Sequence, residues 1–308
     1  MEGNHKKNMI SPARLVPVLF LLYCHCSNPQ SQQSPFNPEK TLVHQSALMN
    51  DTGKVRTNAV PRDTVLQLAW LDTSVKVYIK RSHNRQPKGA ILILPGWNHT
   101  PLHWCDRMRF CTMALESGYH LVMPEMQKGV YTISAFPETR KDMAKSPTMT
   151  FINQVLLPYC QQHMGLLQEG GNNLIAGIST GARGAVLVAM EHPGIFRKGV
   201  AMSGDYDNSK LETDRVMIAY YGMQRKFPYR WHSEANPILH LSKLSTPFLF
   251  THAMDDAVVD CKHTQGFHDA LLKAGMKQHQ LIVDPVGGHD YPYWDIHTKR
   301  ILDFFESE

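Results

Sequence analysis

The fold is decided by the stretch Asn172-Asn173-Leu174-Ile175-Ala176-Gly177-Ile178-Ser179-Thr180-Gly181-Ala182-Arg183-Gly184-Ala185. Its first apolar run, residues 174–176, has the length and composition of a buried strand, and the apolar segment 185–190 predicts a helix. Between them lies a G-x-S-x-G pattern with Ser179 at its centre. The sequence therefore predicts a strand, a sharp turn and a helix, with a serine hydroxyl raised above the end of a sheet.

The two glycines of this pattern fit the sharpness of the turn. We expect a strained backbone at Ser179, and a side chain at Gly177 or Gly181 would collide with the adjoining strand or helix. The turn points the serine at the N-terminal end of the helix, where free N–H groups favour developing negative charge. Taken alone, the pattern is equally compatible with a plain Gly-Ser turn that feeds a helix.

Short apolar segments alternate with helical patterns along the rest of the chain. Residues 65–70 and 75–80 flank a turn and predict an antiparallel hairpin. Further strands are predicted at 89–94, 120–125, 198–204, 247–252 and 280–283, and helices at 104–117 (with Gly118 as C-cap), 151–164, 263–274 and up to 305. This alternation is typical of an α/β fold with a mostly parallel sheet that helices cover on both faces.

Two segments interrupt the alternation. Residues 128–150 form a long polar excursion after a predicted strand, and they contain Tyr131, Phe136 and Arg140. Loops of this length in a compact domain are often functional, so we expect this one to form a wall of the substrate pocket. Residues 205–231 combine a helical pattern with aromatic and charged residues, which predicts a small insertion around 205–235.

The N-terminal segment is typical of a targeting sequence. Basic residues between positions 6 and 14 precede the nine-residue apolar run 15–23, which is too short to span a bilayer. Cys24 and Cys26 follow, as in a bacterial lipoprotein signal, although the residues just before them are larger than that signal requires. We expect residues 1–26 to be a signal peptide or lipoprotein leader. The alternative is a disordered tail with an accidental apolar run.

A flexible tether and one domain follow this leader. Residues 27–60 are rich in Ser, Gln, Asn and Pro, which predicts the tether, and residues 61–308 then form the domain. We expect an exported protein, periplasmic or associated with the cell envelope, with lipid attachment left open. The formal net charge is +5, and removal of residues 1–26 takes away three positive charges and one negative charge, which leaves +3. This charge is too small to indicate nucleic acid or an anionic membrane as a partner.

Four cysteines lie in the predicted domain: Cys105, Cys111, Cys160 and Cys261. Their spacing matches no zinc site, and a domain of this size can build its core without disulfides. Cys105 and Cys111 could pair in an oxidising compartment, but buried or idle thiols are the favoured interpretation. The sequence indicates no metal and no cofactor.

Candidate catalytic side chains follow three of the predicted strands. Ser179 follows the first, Asp255 and Asp256 a later one, and His289 the last. Open α/β sheets place their sites at the carboxyl ends of their strands. A serine becomes a nucleophile when a histidine takes its proton and a carboxylate supports that histidine. Either aspartate could instead cap a helix or a turn, and Asp205, Asp207 and Asp290 are expected to form turns or to support the site.

Together these segments resemble the esterase D branch of the α/β-hydrolases, which is related to the catalytic domain of prolyl oligopeptidases. The resembling parts, within residues 86–306, are Gly177-Ile178-Ser179-Thr180-Gly181-Ala182-Arg183-Gly184-Ala185, Met202-Ser203-Gly204, the segment from His252 to Val259, and Gly288-His289-Asp290-Tyr291-Pro292-Tyr293-Trp294. The chain departs from the family at Ala182, Pro95 and Ala253, which puts substrate preference in doubt more than activity.

The resemblance implies that Ser179 attacks an ester carbonyl, with His289 as the base and then the acid. Asp256, at the family's usual position four residues after His252, is preferred over Asp255 as the carboxylate. The backbone N–H groups of Trp97 and Thr180 would hold the oxyanion.

The function that the resemblance implies is hydrolysis of small or carbohydrate-linked acyl esters. A serine peptidase of the prolyl-oligopeptidase type is the alternative, although the residues before the domain are too few for the propeller that such peptidases usually carry. A non-catalytic binding protein on a hydrolase scaffold is a further alternative.

Overall fold

The computed structural model describes residues 63–233 and 235–308. The predicted leader and tether, residues 1–26 and 27–60, lie outside the described residues. None of the described helices is both long enough and apolar enough to cross a membrane.

A single eight-stranded sheet organises the described residues. Its strands are β1 (Thr64–Trp70), β2 (Thr73–Lys80), β3 (Gly89–Leu94), β4 (Tyr119–Pro124), β5 (Asn173–Ile178), β6 (Phe196–Met202), β7 (Phe248–Ala253) and β8 (Gln280–Asp284). Their order is β1-β2-β4-β3-β5-β6-β7-β8. The β1–β2 and β2–β4 pairs are antiparallel and all other pairs are parallel, which confirms the predicted hairpin and the mostly parallel sheet.

Helices lie between the parallel strands and after the last strand. They are α1 (His103–Asp106), α2 (Phe110–Glu116), α3 (Met149–Phe151), α4 (Leu157–Tyr159), α5 (Thr180–Glu191), α6 (Arg215–Tyr221), α7 (Pro228–Trp231), α8 (Lys262–Lys273), α9 (Tyr291–Ile296) and α10 (Thr298–Glu306). Both faces of the sheet are buried at the central strands β3, β4, β5 and β7. Along β3, Leu92 and Leu94 enter one apolar cluster while Ile91 and Ile93 enter another on the opposite face.

The prediction of one continuous helix at 104–117 is wrong, because the structure has two short helices, α1 and α2. The break has a long-range cause. The backbone N–H of Arg109 donates to the Asp295 carboxylate at 2.7 Å instead of bonding one turn back, and α2 begins at the next residue. The predicted role of Gly118 agrees with the structure, since its φ of 100° is in the left-handed region that glycine tolerates.

The predicted helix 151–164 is observed, but it is irregular. Short α-helical pieces alternate with π-helical turns at Ile152–Leu156 and Cys160–Met164. Pro158 lies next to the first wide turn and has no N–H to donate, which removes one regular backbone hydrogen bond. Gly165, with a φ of 64°, ends the segment.

The favoured interpretation of Cys105 and Cys111 as unpaired thiols is wrong. The two residues form a disulfide, with Cα atoms 4.9 Å apart. The break between α1 and α2 brings the two side chains together, which a continuous helix would not do at a spacing of six residues. Cys160 and Cys261 are buried free thiols, as expected.

The polar excursion and the predicted insertion pack against each other. The Arg140 N–H donates to the carbonyl of Ala219 at 2.8 Å, and the Thr139 hydroxyl donates to the carbonyl of Tyr220 at 2.8 Å. An apolar cluster joins the two segments and includes Val130, Met143, Tyr220, Tyr221 and Trp231, with Trp97 packed against it. We call residues 128–150 and 205–231 together the cap.

Candidate active site

The serine turn has the strained geometry that its sequence predicts. Ser179 has φ 54° and ψ −126°, and it lies between β5 and α5. A Cβ at Gly177 would overlap the backbone of Gly181, and a Cβ at Gly181 would overlap the carbonyl of Leu94 on the neighbouring strand. Both glycines are therefore required for close packing of strand, turn and helix, and the plain-turn alternative does not account for the strain.

The structure brings Ser179, His289 and Asp256 into one hydrogen-bonded chain. Nε2 of His289 lies 3.0 Å from the Ser179 Oγ, and Nδ1 lies 2.7 Å from the Asp256 Oδ2. The histidine side chain is 9% exposed and the aspartate side chain is fully buried. A histidine in this arrangement can accept the serine proton at one nitrogen while the carboxylate holds the other nitrogen.

Asp256 is held as a carboxylate by hydrogen-bond donors on all sides. Its Oδ1 accepts from the N–H groups of Val258 and Val259 at 2.8 and 2.9 Å, and its Oδ2 contacts His289 and His252. Burial alone would raise the pKa of this carboxyl, but the hydrogen bonds from the two histidines and from Val259 outweigh burial and lower it below its usual value. Asp256 therefore stays ionised at neutral pH.

Asp255, the competing candidate, has a different role in the structure. Its Oδ1 accepts from the N–H groups of Gly287 and Gly288 at 2.8 Å each. Gly288 has a φ of 71°, a conformation that favours glycine, and it directly precedes His289. The loop after β7 thus supplies two neighbouring acids, one that contacts the histidine ring and one that holds the histidine loop.

The predicted oxyanion loop lies against the serine. A Cβ at Gly96 would be 3.2 Å from the Ser179 Cβ, so the loop backbone can approach the nucleophile closely. The Asn98 N–H donates to the carbonyl of Gln127 at 2.7 Å, which fixes the loop. Thr180 is the first residue of α5, where N–H groups have no partner within the helix. The structure thus places Trp97 and Thr180 on the two segments that flank Ser179.

Other predicted acids cap turns or form a buried pair. Asp207 and Asp290 accept from backbone N–H groups at the start of a short 3₁₀ turn and of α9.

Asp205 instead pairs with Arg183 at 2.5 Å, and the Arg183 guanidinium also donates to Asn208 and to the carbonyl of Val130. Arg183, 1% exposed, therefore ties α5 to both parts of the cap. The position of Arg183 in the serine motif could have marked it as functional. The sequence does not reveal which residues it contacts.

A second histidine lies beside the oxyanion loop. The His99 Nδ1 is 3.0 Å from the hydroxyl of Tyr291, which belongs to the predicted C-terminal motif. Burial lowers the pKa of His99, and the neighbouring side chains of His103, His289 and Arg107 lower it further. A neutral His99 can exchange a hydrogen bond with Tyr291 next to the site, a contact that the sequence does not predict.

A family model supports the relationship that the motifs suggest. Residues 163–308 match the model of the prolyl oligopeptidase family. This segment contains the serine turn and both loops that carry Asp256 and His289, and it forms the second half of the sheet described above. The described residues have the α/β-hydrolase fold. The prediction of an enzyme of the hydrolase class is confirmed.

Several solved structures share this fold. The fluorophosphonate-binding serine hydrolase F of Staphylococcus aureus superposes with a TM-score of 0.64 at 17% identity, over 80% of this chain and 98% of that chain. The S-formylglutathione hydrolase of Staphylococcus aureus superposes with a TM-score of 0.62 at 18% identity, over 79% and 97%. An acylaminoacyl peptidase of Pyrococcus horikoshii gives 0.60 at 12% identity, over 80% and 41%.

A curated sequence relative is the poly(3-hydroxyoctanoate) depolymerase of Pseudomonas fluorescens. It is 24% identical over 177 residues, which are 58% of this chain. The match spans 55% of the depolymerase, about half of its length.

Proposed function

We propose that this α/β-hydrolase is a serine-dependent carboxylic ester hydrolase. The observation that carries the proposal is the hydrogen-bonded chain from Asp256 through His289 to the strained Ser179. A strained turn and a buried, ionised carboxylate are costly to maintain, and activation of a nucleophile accounts for both.

The proposed reaction proceeds through an acyl-enzyme. His289 removes the hydroxyl proton as the Ser179 Oγ attacks the ester carbonyl, and Asp256 stabilises the imidazolium that forms. The N–H groups of Trp97 and Thr180 stabilise the oxyanion of the tetrahedral intermediate. His289 then protonates the leaving alcohol, and a water molecule, activated by the same histidine, releases the acid. No metal and no cofactor takes part in this scheme.

The substrate class proposed is small or carbohydrate-linked acyl esters. The names of two similar proteins, a depolymerase of a polyester and an S-formylglutathione hydrolase, support chemistry at ester or thioester carbonyls.

A peptidase remains the second candidate because residues 163–308 match the prolyl oligopeptidase family. The cap lies next to Trp97 and is the proposed wall of the substrate pocket.

Parallel rates on esters and amides test this function. The full chain is assayed with p-nitrophenyl esters of two to twelve acyl carbons and with p-nitroanilides of short peptides, beside Ser179→Ala. We expect turnover of the esters that disappears in the variant. Turnover of the anilides with higher kcat/KM than any ester would establish the peptidase, and equal rates for wild type and variant on every substrate would reject both functions.

We further propose that the protein is exported, with residues 1–26 as a signal peptide or lipoprotein leader and residues 27–60 as the tether. The Cys105–Cys111 disulfide supports this proposal, because disulfides persist in oxidising compartments. Mass analysis of the mature N-terminus in a bacterial host tests it. Cleavage before Cys24 or Cys26 with an added lipid would indicate an anchor, cleavage without a lipid would indicate a secreted form, and an intact leader in the cytoplasm would contradict export.

A further inference from the structure

His252, at the carboxyl end of β7, is fully buried against the acid of the candidate site. Its Nε2 lies 3.1 Å from the Asp256 Oδ2 and 2.9 Å from the carbonyl oxygen of Val259. Its Nδ1 lies 2.7 Å from the Thr264 Oγ1 on α8. The same carboxylate oxygen therefore contacts two imidazole rings, those of His252 and His289.

The partners of Nε2 require a hydrogen on that nitrogen. The Val259 carbonyl is an acceptor only, and so is Asp256 as a carboxylate. Burial raises the pKa of Asp256, but the hydrogen bonds to this carboxylate lower the pKa by more. The oxygens of Asp256 therefore carry no proton. Nε2–H of His252 is thus shared between two acceptors.

The partner of Nδ1 points to a second hydrogen. The Thr264 hydroxyl has one proton, and it lies 3.0 Å from the carbonyl oxygen of Gly204, which can only accept. If Thr264 donates to Gly204, the contact at 2.7 Å with His252 is a hydrogen bond only when Nδ1 donates. A neutral His252 would leave either Gly204 or Nδ1 without a donor in a buried environment, which is costly.

We propose that His252 carries a hydrogen on both ring nitrogens, and that this buried imidazolium is a positioning residue that holds Asp256 and sets the charge behind His289. His252 does not touch the reacting atoms. Its positive charge offsets part of the negative charge of Asp256, so His289 gains less stabilisation when it takes up a proton. The charge of His252 therefore favours the neutral form of His289, which is the form that acts as a base.

The charged and titratable groups around His252 are compatible with a single positive charge there. The loops after β7 and β8 contribute Asp256 and His289. Tyr206 lies on the segment after β6 and is next to Thr264. Burial raises the pKa of Tyr206 well above its usual value, so this side chain is neutral. Cys261, which precedes α8, has its pKa raised, first by burial and then by nearby acids, so it is also neutral.

Nitrogen NMR of ¹⁵N-histidine-labelled full-length protein tests the protonation state without any assay of activity. We expect one ring with both nitrogens protonated at pH 7, and we expect its signals to be missing from His252→Gln. Should that variant fail to fold, contacts of the ring with the Thr264 methyl identify it in the wild type. Signals of a neutral ring at this position would overturn the proposal.

A pH profile tests the effect on His289, and this arm rests on the proposed ester hydrolysis. Glutamine can donate to Asp256 and accept from Thr264, so His252→Gln keeps hydrogen bonds and removes the charge. We expect the acid limb of kcat/KM to move to higher pH by about one unit, with little change in KM. An unmoved acid limb would overturn the charge effect.

The matched control is His279→Gln. His279 is also buried, but it accepts from the Phe248 N–H at the opposite end of β7, far from Asp256. We expect the acid limb of kcat/KM in His279→Gln to lie at the same pH as in the wild type. An equal shift in both variants would mean that loss of a buried histidine acts through stability, which contradicts the proposal. Absence of any ester hydrolysis in the wild type would reject the proposed function, while the NMR arm would still decide the protonation of His252.

Discussion

The hydroxyl of Tyr131, in the cap, donates a hydrogen bond to the carbonyl of Pro95 at 2.7 Å. Pro95 begins the loop that carries Trp97, and the Tyr131 ring lies so close to Gly184 on α5 that a Cβ there would overlap it. Tyr131 is fully buried, with a φ of 58°. One side chain thus connects the cap, the helix that follows the serine and the proposed oxyanion loop.

Gly184→Ala should therefore damage catalysis through this contact. The new methyl group displaces the Tyr131 ring, which breaks the bond to Pro95 and moves the Trp97 N–H. Because small displacements of catalytic groups are costly, we expect kcat to fall by roughly 10- to 100-fold with a smaller change in KM. Steady-state kinetics on a p-nitrophenyl ester measures it.

Gly266→Ala in α8 is the matched control. A Cβ at this position would meet only the Lys210 Nζ, at 3.9 Å, so the helix has room for it. We expect unchanged kinetics and a gain of about 0.5–1 kcal/mol in stability, because alanine is the better helix former. Unchanged kinetics in Gly184→Ala as well would contradict the role assigned to Tyr131.

The fold was predictable because its signals are local. Continuous apolar runs predict β3, β5 and β7, and the glycines around Ser179 predict the turn, since the strain and the close packing require them. The order of Ser179, Asp256 and His289 along the chain then follows from the strands that precede them. The structure brings these three residues together as the sequence suggests.

Other features were not predictable because they depend on residues far apart in the chain. The break between α1 and α2 depends on Asp295, 186 residues from Arg109. The disulfide depends in turn on that break. The role of Asp255 depends on the Gly287 N–H, which only the folded loops bring near. A helical periodicity or a residue spacing carries no information about such contacts.

The two neighbouring acids after β7 should differ sharply when mutated. Asp256→Asn removes the charge that stabilises the His289 imidazolium, and we expect kcat to fall by about 10³–10⁴-fold. Asp255→Asn keeps an oxygen that can accept from Gly287 and Gly288, and we expect kinetics near those of the wild type. Comparison of kcat/KM at pH 7 decides between them. A larger loss in Asp255→Asn would mean that the acid is misassigned.

Arg183 should matter for stability, because it is a buried charge that pairs with Asp205. Removing one partner of a buried pair leaves the other uncompensated, so we expect Arg183→Met to destabilise the protein by about 3–5 kcal/mol. The control is Lys299→Met, which breaks an exposed pair with Asp303 and should cost at most about 1 kcal/mol. Urea unfolding measures both. Equal midpoints for the two variants would contradict the buried network.

The Cys105–Cys111 disulfide should survive purification under oxidising conditions. Peptide mapping of the non-reduced protein should recover the two cysteines in one cross-linked fragment. Because the closed loop is short, we expect replacement of both cysteines by serine to cost about 2 kcal/mol of stability. Alkylation of both thiols in the folded, non-reduced protein would show that the bond does not form.

Labelling with a fluorophosphonate shows whether Ser179 is an activated nucleophile. The probe reacts with activated serines whatever the natural substrate is, and mass mapping locates the adduct. The structure predicts a single adduct on Ser179 in the full-length wild type, no adduct in Ser179→Ala, and much slower labelling in His289→Gln. A folded wild type that stays unlabelled, or an adduct that persists on another residue in Ser179→Ala, would contradict the assignment of Ser179 as the nucleophile.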